Sequence, residues 1–140
     1  MFIILRFKTS ILILLVKVEF GFIIKVVKMK KTYQTYTKTN PETGEVYSSR
    51  TSGYGTPKEN VSRRDKKHHM NDKGFGPAAL DKSSTNKDAI RGREQQLIDS
   101  NGGAKSQRGT SGNAINGISP NNKKKNQYMK SATDEFGELI

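Results

Sequence analysis

The chain has 140 residues, 32% of them hydrophobic and 27% charged, with a formal net charge of +12 and no cysteine. That length supports one domain with a smaller than average core, and the missing cysteines exclude disulfide staples, thiolate zinc sites and cysteine nucleophiles. The positive balance favours polyanionic partners, nucleic acid first and an anionic membrane second.

Composition divides the chain near residue 31. Residues 1–31 carry seven Lys or Arg against one Glu in a stretch dominated by Phe, Ile, Val and Lys. Its longest uninterrupted apolar run is ILILLV at residues 11–16, and Lys17, Glu19 and Lys25 break the continuation. A spanning helix needs about 20 mainly apolar residues and each central charge costs roughly 2.5–3.5 kcal/mol, so no transmembrane segment is expected. No small-residue cleavage site follows the short run, which argues against a signal peptide. Residues 1–31 therefore read as a hydrophobic and basic extension. It is either a leader or upstream sequence translated from a start set too early, with Met29 the natural beginning; the second reading is preferred.

Residues 32–140 hold eighteen Lys or Arg against twelve Asp or Glu, so this part is moderately basic. TYQTYTK alternates β-favouring Tyr and Thr, NPETG supplies Pro and Gly for a turn, and EVYSSRT follows as a second strand. A four-residue loop at 41–44 pairs Asn40 with Glu45, Lys38 with Tyr47 and Tyr36 with Ser49. Tyr36 and Tyr47 then share a face as diagonal neighbours.

A first helix is predicted from Thr56, with Pro57 at the first helical position and Glu59 completing a capping box. It is expected to run to about His69, which sets Val61, Arg64 and His68 on one face. The adjacent His68 and His69 would then point apart, and no zinc pair is expected. After a polar GFGP loop, Thr85 is read as the cap of a second helix, Asp88 as closing its box, and Asn101 with Gly102 as its stop. Ile90, Glu94 and Ile98 recur at four-residue spacing with Leu97 beside them, so Glu94 falls within the apolar stripe. A carboxylate there is costly unless a cation, a metal or strong donors meet it, and an ion pair with Arg64 is one solution. A last helix starts near Ser119 and Pro120, with Tyr128, Ala132 and Phe136 on one face. The fold class is α+β: a short antiparallel sheet beginning with a β-hairpin, flanked by about three helices.

Tyr36, Tyr47, Arg64, His68, Glu94 and an Asn at 113 or 116 thus lie, in that order, on a hairpin, a helix, a second helix and a late loop. In this the chain resembles the GIY-YIG nucleases over about residues 32–118. QTY ends at Tyr36, YSS starts at Tyr47, ten residues separate the two tyrosines, RRDKKH spaces Arg64 and His68, and REQQLI resembles the metal-carboxylate helix. The small and aliphatic residues usual before the first tyrosine are Gln34 and Thr35 here, and the Ile-Gly after the second is Ser48-Ser49. The small size and the tail NGISPNNKKKNQYMKSATDEFG are also similar to C-terminal toxin modules of RHS-type polymorphic bacterial proteins.

The resemblance implies a small GIY-YIG-like domain acting as a metal-dependent endonuclease on DNA or RNA. Tyr36 would act as general base or position the water, assisted by Tyr47. Arg64 would hold the scissile phosphate, and His68 would orient Tyr47 or contact the phosphate. A phenol is a poor base at neutral pH unless nearby positive charge lowers its pKa, which Arg64 and a metal would supply. Glu94 would bind one Mg²⁺ or Mn²⁺. The late asparagine role goes to Asn116 in preference to Asn113, because AIN resembles the aliphatic-Asn ending. Arg50, Arg63, Arg91, Arg93, Lys123, Lys124 and Lys125 are candidate contacts to a nucleic-acid backbone. The chain is expected to be a monomer. The toxin context implies a dedicated immunity protein as partner and an effector acting in a target-cell cytoplasm. The rival readings are a non-catalytic basic module that binds nucleic acid and a degenerate toxin fragment.

Overall fold

A computed structural model describes residues 2–6, 11–18 and 21–140, and the side chains of Ile4 and of residues 29–140. Glu19, one of the charges breaking the N-terminal apolar run, lies outside the described residues. The chain divides into two compact units, residues 1–31 and 32–140. In the first, β1 (Phe2–Arg6), β2 (Ile11–Val18) and β3 (Gly21–Lys28) form an antiparallel sheet in the order β1-β2-β3, with Ile4 opposite Leu14 and Leu14 opposite Lys25. Among the described residues no helix is long and apolar enough to cross a membrane.

The second unit is a small α+β domain. Its sheet has the order β5-β4-β6, all antiparallel, with β4 (Thr32–Thr39) central between β5 (Val46–Gly53) and β6 (Ala79–Ser84). The hairpin register is the one expected: Tyr36 opposes Ser49 and Lys38 opposes Tyr47. Asn40 fixes the turn, its Oδ1 accepting the amides of Glu42 at 3.0 Å and Thr43 at 3.3 Å, and Gly44 takes φ +76°, which favours glycine. The third strand, ALDKSS, lacks the β-branched and aromatic residues that mark a strand in sequence and forms by pairing with β4. Its pairing slips between Thr35 and Tyr36, so that Lys82 faces Thr35, Leu80 faces Tyr36 and Asp81 is the extra residue of a bulge.

Helix α1 (Pro57–Asp65) has the Thr56 cap and the Glu59 capping box that its sequence announces. It stops at Asp65 rather than near His69. The Asp65 carbonyl is taken by the amide of His68 at 3.1 Å and by Nδ2 of Asn71 at 2.8 Å, and the chain turns out of the helix. His68 is therefore in a turn and not on the helical face of Val61 and Arg64. Helix α2 (Lys87–Ser100) is capped by Asn86 rather than Thr85, since Oδ1 of Asn86 accepts the amides of Asp88 and Ala89. Helix α3 is Lys125–Phe136, not a helix from Ser119. The intervening asparagines prefer turns: the amide of Asn122 bonds the Ser119 carbonyl and Oδ1 of Asn122 accepts the Lys124 amide.

The β4 residues Gln34, Tyr36 and Lys38 meet α1 and the turn after it, through Asn60, His68 and Asp65. Thr35 and Arg50 meet the other side, through Asp81 and the α2 residue Glu94. The core is small: Val61, Met70, Phe75, Ala89, Ile90, Leu97, Ile98, Ala104, Ile118 and Ala132 are buried, with Tyr36 and Tyr128. The buried Gln34 is satisfied at both ends, accepting from Asn60 at 3.1 Å and donating to Ser83 at 3.0 Å. Helices α2 and α3 touch backbone to backbone at Gly92, where a Cβ would stand 2.0 Å from the Tyr128 carbonyl oxygen.

Candidate active site

The site grows out of the hairpin. Tyr36 is 0% exposed, and its phenolic oxygen lies 2.9 Å from Nε2 of His68. The Met70 amide donates to Nδ1 of the same ring at 3.1 Å. A nitrogen that accepts an N–H carries no proton, so a neutral His68 holds its proton on Nε2 and donates it to Tyr36. Burial pushes the His68 pKa down to about 4, and His69, Arg64 and Lys38 push the same way while Asp65 opposes them. The ring of Tyr47 stands edge-on to His68 at 5.3 Å and to His69 at 5.7 Å between centroids. The two imidazoles do not point apart. They stack at 4.6 Å with 22° between planes, because both residues follow the end of α1.

Tyr36 departs from the expected lowering of its pKa. Burial dominates and raises it, Tyr47 adds to the rise, and Ser49 and Arg64 only partly offset this. At neutral pH the group is a phenol rather than a phenolate. Arg64 is exposed and lines an open groove of about 290 Å³ with Thr51, Ser52, Arg63 and Lys67.

Glu94 is 6% exposed on the inner stripe of α2, as its spacing implied. Its ion-pair partner is Arg50, not Arg64: Nε of Arg50 lies 2.8 Å from Oε2 of Glu94. Burial raises the carboxyl pKa against the opposing pull of Arg50, Ser49 and Arg91. Ser49 lowers the pKa of both the Tyr36 phenol and the Glu94 carboxyl, against the larger effect of burial. A Cβ on Gly117 would stand 2.7 Å from Oε2 of Glu94, so the late loop presses a bare glycine on the carboxylate. Among the described residues no group of three or more His, Cys, Asp or Glu converges, and Glu94 is a single carboxylate ligand at most.

No protein-family model, no curated protein and no solved structure matches this chain.

Several candidate backbone contacts are committed elsewhere. Arg93 is 5% exposed and grips Asp81 with both Nε at 2.9 Å and Nη2 at 3.0 Å, so it is not a surface contact for nucleic acid. Arg91 lies over the Tyr128 ring at 4.8 Å, with its buried Nε lacking a partner. Arg50 is turned to Glu94 and keeps a third of its side chain exposed. Arg63 stays exposed while bonding the Ser52 carbonyl at 3.2 Å. Lys123 and Lys124 are exposed and Lys125 half-buried at the start of α3. Asn113 is a clamp on β5, accepting the Ser48 amide at 2.9 Å and donating to the Ser48 carbonyl at 2.8 Å. Asn116 is half-buried and accepts from Gln95, the residue after Glu94, at 3.0 Å.

Sequence reasoning missed the ion pair and hydrogen bonds that hold the turn around His68. Lys38, 1% exposed, bonds Asp65 and, at 2.7 Å, Oδ1 of Asn71. Asp65 also accepts the Ala78 amide at 3.0 Å. Burial raises the Asp65 pKa, but Lys38 and that amide outweigh it and the net shift is downward. Only the alternation that turns Lys38 to the Tyr36 face signalled this in the sequence.

Proposed function

We propose that residues 32–140 form a divalent-metal-dependent phosphodiester hydrolase, an endonuclease acting on DNA or RNA, and that it serves as a toxin effector module of the RHS type. The observation that carries this reading is the meeting at one hairpin of Tyr36, Tyr47 and His68, with the exposed Arg64 acting on the Tyr36 phenol and Glu94 held by Arg50 of the same hairpin. These are the residues that the resemblance to GIY-YIG nucleases marks, and they come from four separate stretches of chain.

Hydrolysis of a phosphodiester needs an oriented water, neutralisation of charge on phosphorus oxygens and help for the leaving oxygen. Tyr36 accepts the His68 N–H, which leaves its own O–H to donate. A buried phenol in that state orients a water in preference to acting as a resting base. Tyr47 packs against both imidazoles and holds the turn in place. Arg64, exposed beside the phenol, has the forked donors that suit a phosphate. A single Mg²⁺ or Mn²⁺ suits Glu94, a lone carboxylate whose burial is incompletely offset by Arg50. Once bound, the cation would supply positive charge against the phosphoryl and leaving oxygens.

The test is incubation of the full chain with plasmid DNA and with total RNA, in Mg²⁺ or in EDTA, beside Glu94→Gln. Cleavage that needs Mg²⁺ and Glu94 supports the nuclease. The Arg50–Glu94 ion pair favours a second reading, a basic module that binds without cutting, since it satisfies the carboxylate with no metal. Retarded but uncut nucleic acid under all conditions would establish that module and end the nuclease reading.

A further inference from the structure

His68 has no proton to give a substrate. Its Nε2 is spent on Tyr36, its Nδ1 accepts the Met70 amide, and the residue is 2% exposed. The nearby Lys38 ammonium is also engaged, held by Asp65 and Asn71.

His69 differs from its neighbour on each count. It is exposed, and neither of its ring nitrogens has a hydrogen-bond partner among the described residues. Its position is nevertheless defined, by stacking on His68 at 4.6 Å and by the edge contact with Tyr47 at 5.7 Å. Phenols and alkylammonium groups are by type weaker acids than imidazolium by roughly 3.5 pK units, so an imidazole is the better type of donor near neutral pH.

Resting on the nuclease reading, we infer that His69 is the general acid of the reaction. As the water oxygen bonds to phosphorus and loses its proton to solvent past Tyr36, the bond from phosphorus to the leaving oxygen breaks. That oxygen keeps the electron pair and takes the proton of the His69 imidazolium, and the neutral ring regains a proton from solvent. The products are a phosphomonoester end and a hydroxyl end. The adjacent histidines thus divide the work: His68 fixes Tyr36, and His69 serves the leaving group.

A leaving-group substitution tests this. The linkage that wild type cuts is first mapped, and two oligonucleotides are then made with sulfur replacing its 3′ or its 5′ bridging oxygen. A thiolate departs without a proton, so the oligonucleotide with sulfur on the leaving side bypasses the acid. His69→Ala is expected to slow the all-oxygen linkage by roughly a hundredfold or more, the usual range for general acid catalysis, and the sulfur linkage by less than about tenfold. Circular dichroism and the thermal midpoint of the variant are expected to match wild type, because His69 is exposed. Equal slowing of both linkages, or no slowing of the oxygen one, overturns the role of His69 and leaves the nuclease reading intact. A wild-type chain that cuts neither nucleic acid overturns both.

Discussion

The 2.9 Å contact between Nε2 of His68 and the Tyr36 oxygen exists in one protonation state of the ring, because the Met70 amide occupies Nδ1. With a folded pKa of about 4 against 6.5 for a free imidazole, His68 is neutral where the unfolded chain would be charged. Between those values the unfolded state binds more protons, so the His68 contribution to stability is complete above pH 6.5 and is lost as pH falls toward 4. Glu94 acts in the opposite sense, since its raised pKa gives a contribution that is lost as pH rises through the folded value. Comparing wild type with His68→Asn, whose Oδ1 can keep the Met70 amide, isolates the histidine. Denaturant unfolding at about pH 7.5 and about pH 4.5 is expected to show the wild-type advantage shrinking by on the order of 2–3 kcal/mol at the lower pH. An advantage equal at both values would mean that His68 is not held neutral.

Gly117 offers a separate test of Glu94. The nearest atoms to an added Cβ are the carboxylate oxygen at 2.7 Å and carbon at 2.8 Å, the far end of a side chain that can move. Gly117→Ala is therefore expected to displace the carboxylate from Arg50 with a modest drop in thermal midpoint, and to lose nuclease activity to an extent approaching that of Glu94→Gln. Full activity in Gly117→Ala would show that the carboxylate position under Gly117 is not the working one.

Lys38 is a buried cation whose partners hold the turn that carries both histidines. Lys38→Met would leave Asp65 without its cation, and breaking a buried pair in this way costs about 3–5 kcal/mol, discounted here because the Asp65 side chain is 21% exposed. Asp65→Asn in the same chain removes the stranded charge and keeps an acceptor for the Ala78 amide. Urea unfolding of the two single variants and the double is expected to give a coupling energy of about 1 kcal/mol or more. Additive losses would reduce the Lys38–Asp65 contact to packing.

What could be read from sequence was local. The alternation in TYQTYTK, the NPETG turn and the box from Thr56 to Glu59 each act over a few residues, and each appears in the structure where expected. Glu94 was found for the same reason, as a period-of-four carboxylate among apolar neighbours. The partners of these residues were not readable, because tertiary geometry chooses them. The end of α1 depends on capture of the Asp65 carbonyl by Asn71, six residues on. Arg93 looked like a surface cation until a bulge in β6, itself visible only as a mate for β4, directed Asp81 to it. Ser119 and Pro120 carry the letters of a helix start, yet the asparagines after them close turns first.

The groove beside Arg64 and the Arg93 pair separate binding charge from structural charge. Arg63 and Lys67 are exposed and line the groove of about 290 Å³, whereas Arg93 is buried on Asp81. In a Glu94→Gln chain, which should bind without cutting, Arg63→Gln and Lys67→Gln are each expected to weaken binding to unrelated sequences alike. Each should also reduce the slope of log affinity against log salt by about 0.9 on duplex or about 0.7 on single strands, one released counterion apiece. Arg93→Gln is expected to lower the thermal midpoint and leave that slope unchanged, because its guanidinium faces a carboxylate and not solvent. Fluorescence anisotropy across a salt series measures both effects. If the slope falls for Arg93→Gln and not for the groove variants, the nucleic acid does not run along α1 and the edge of β5.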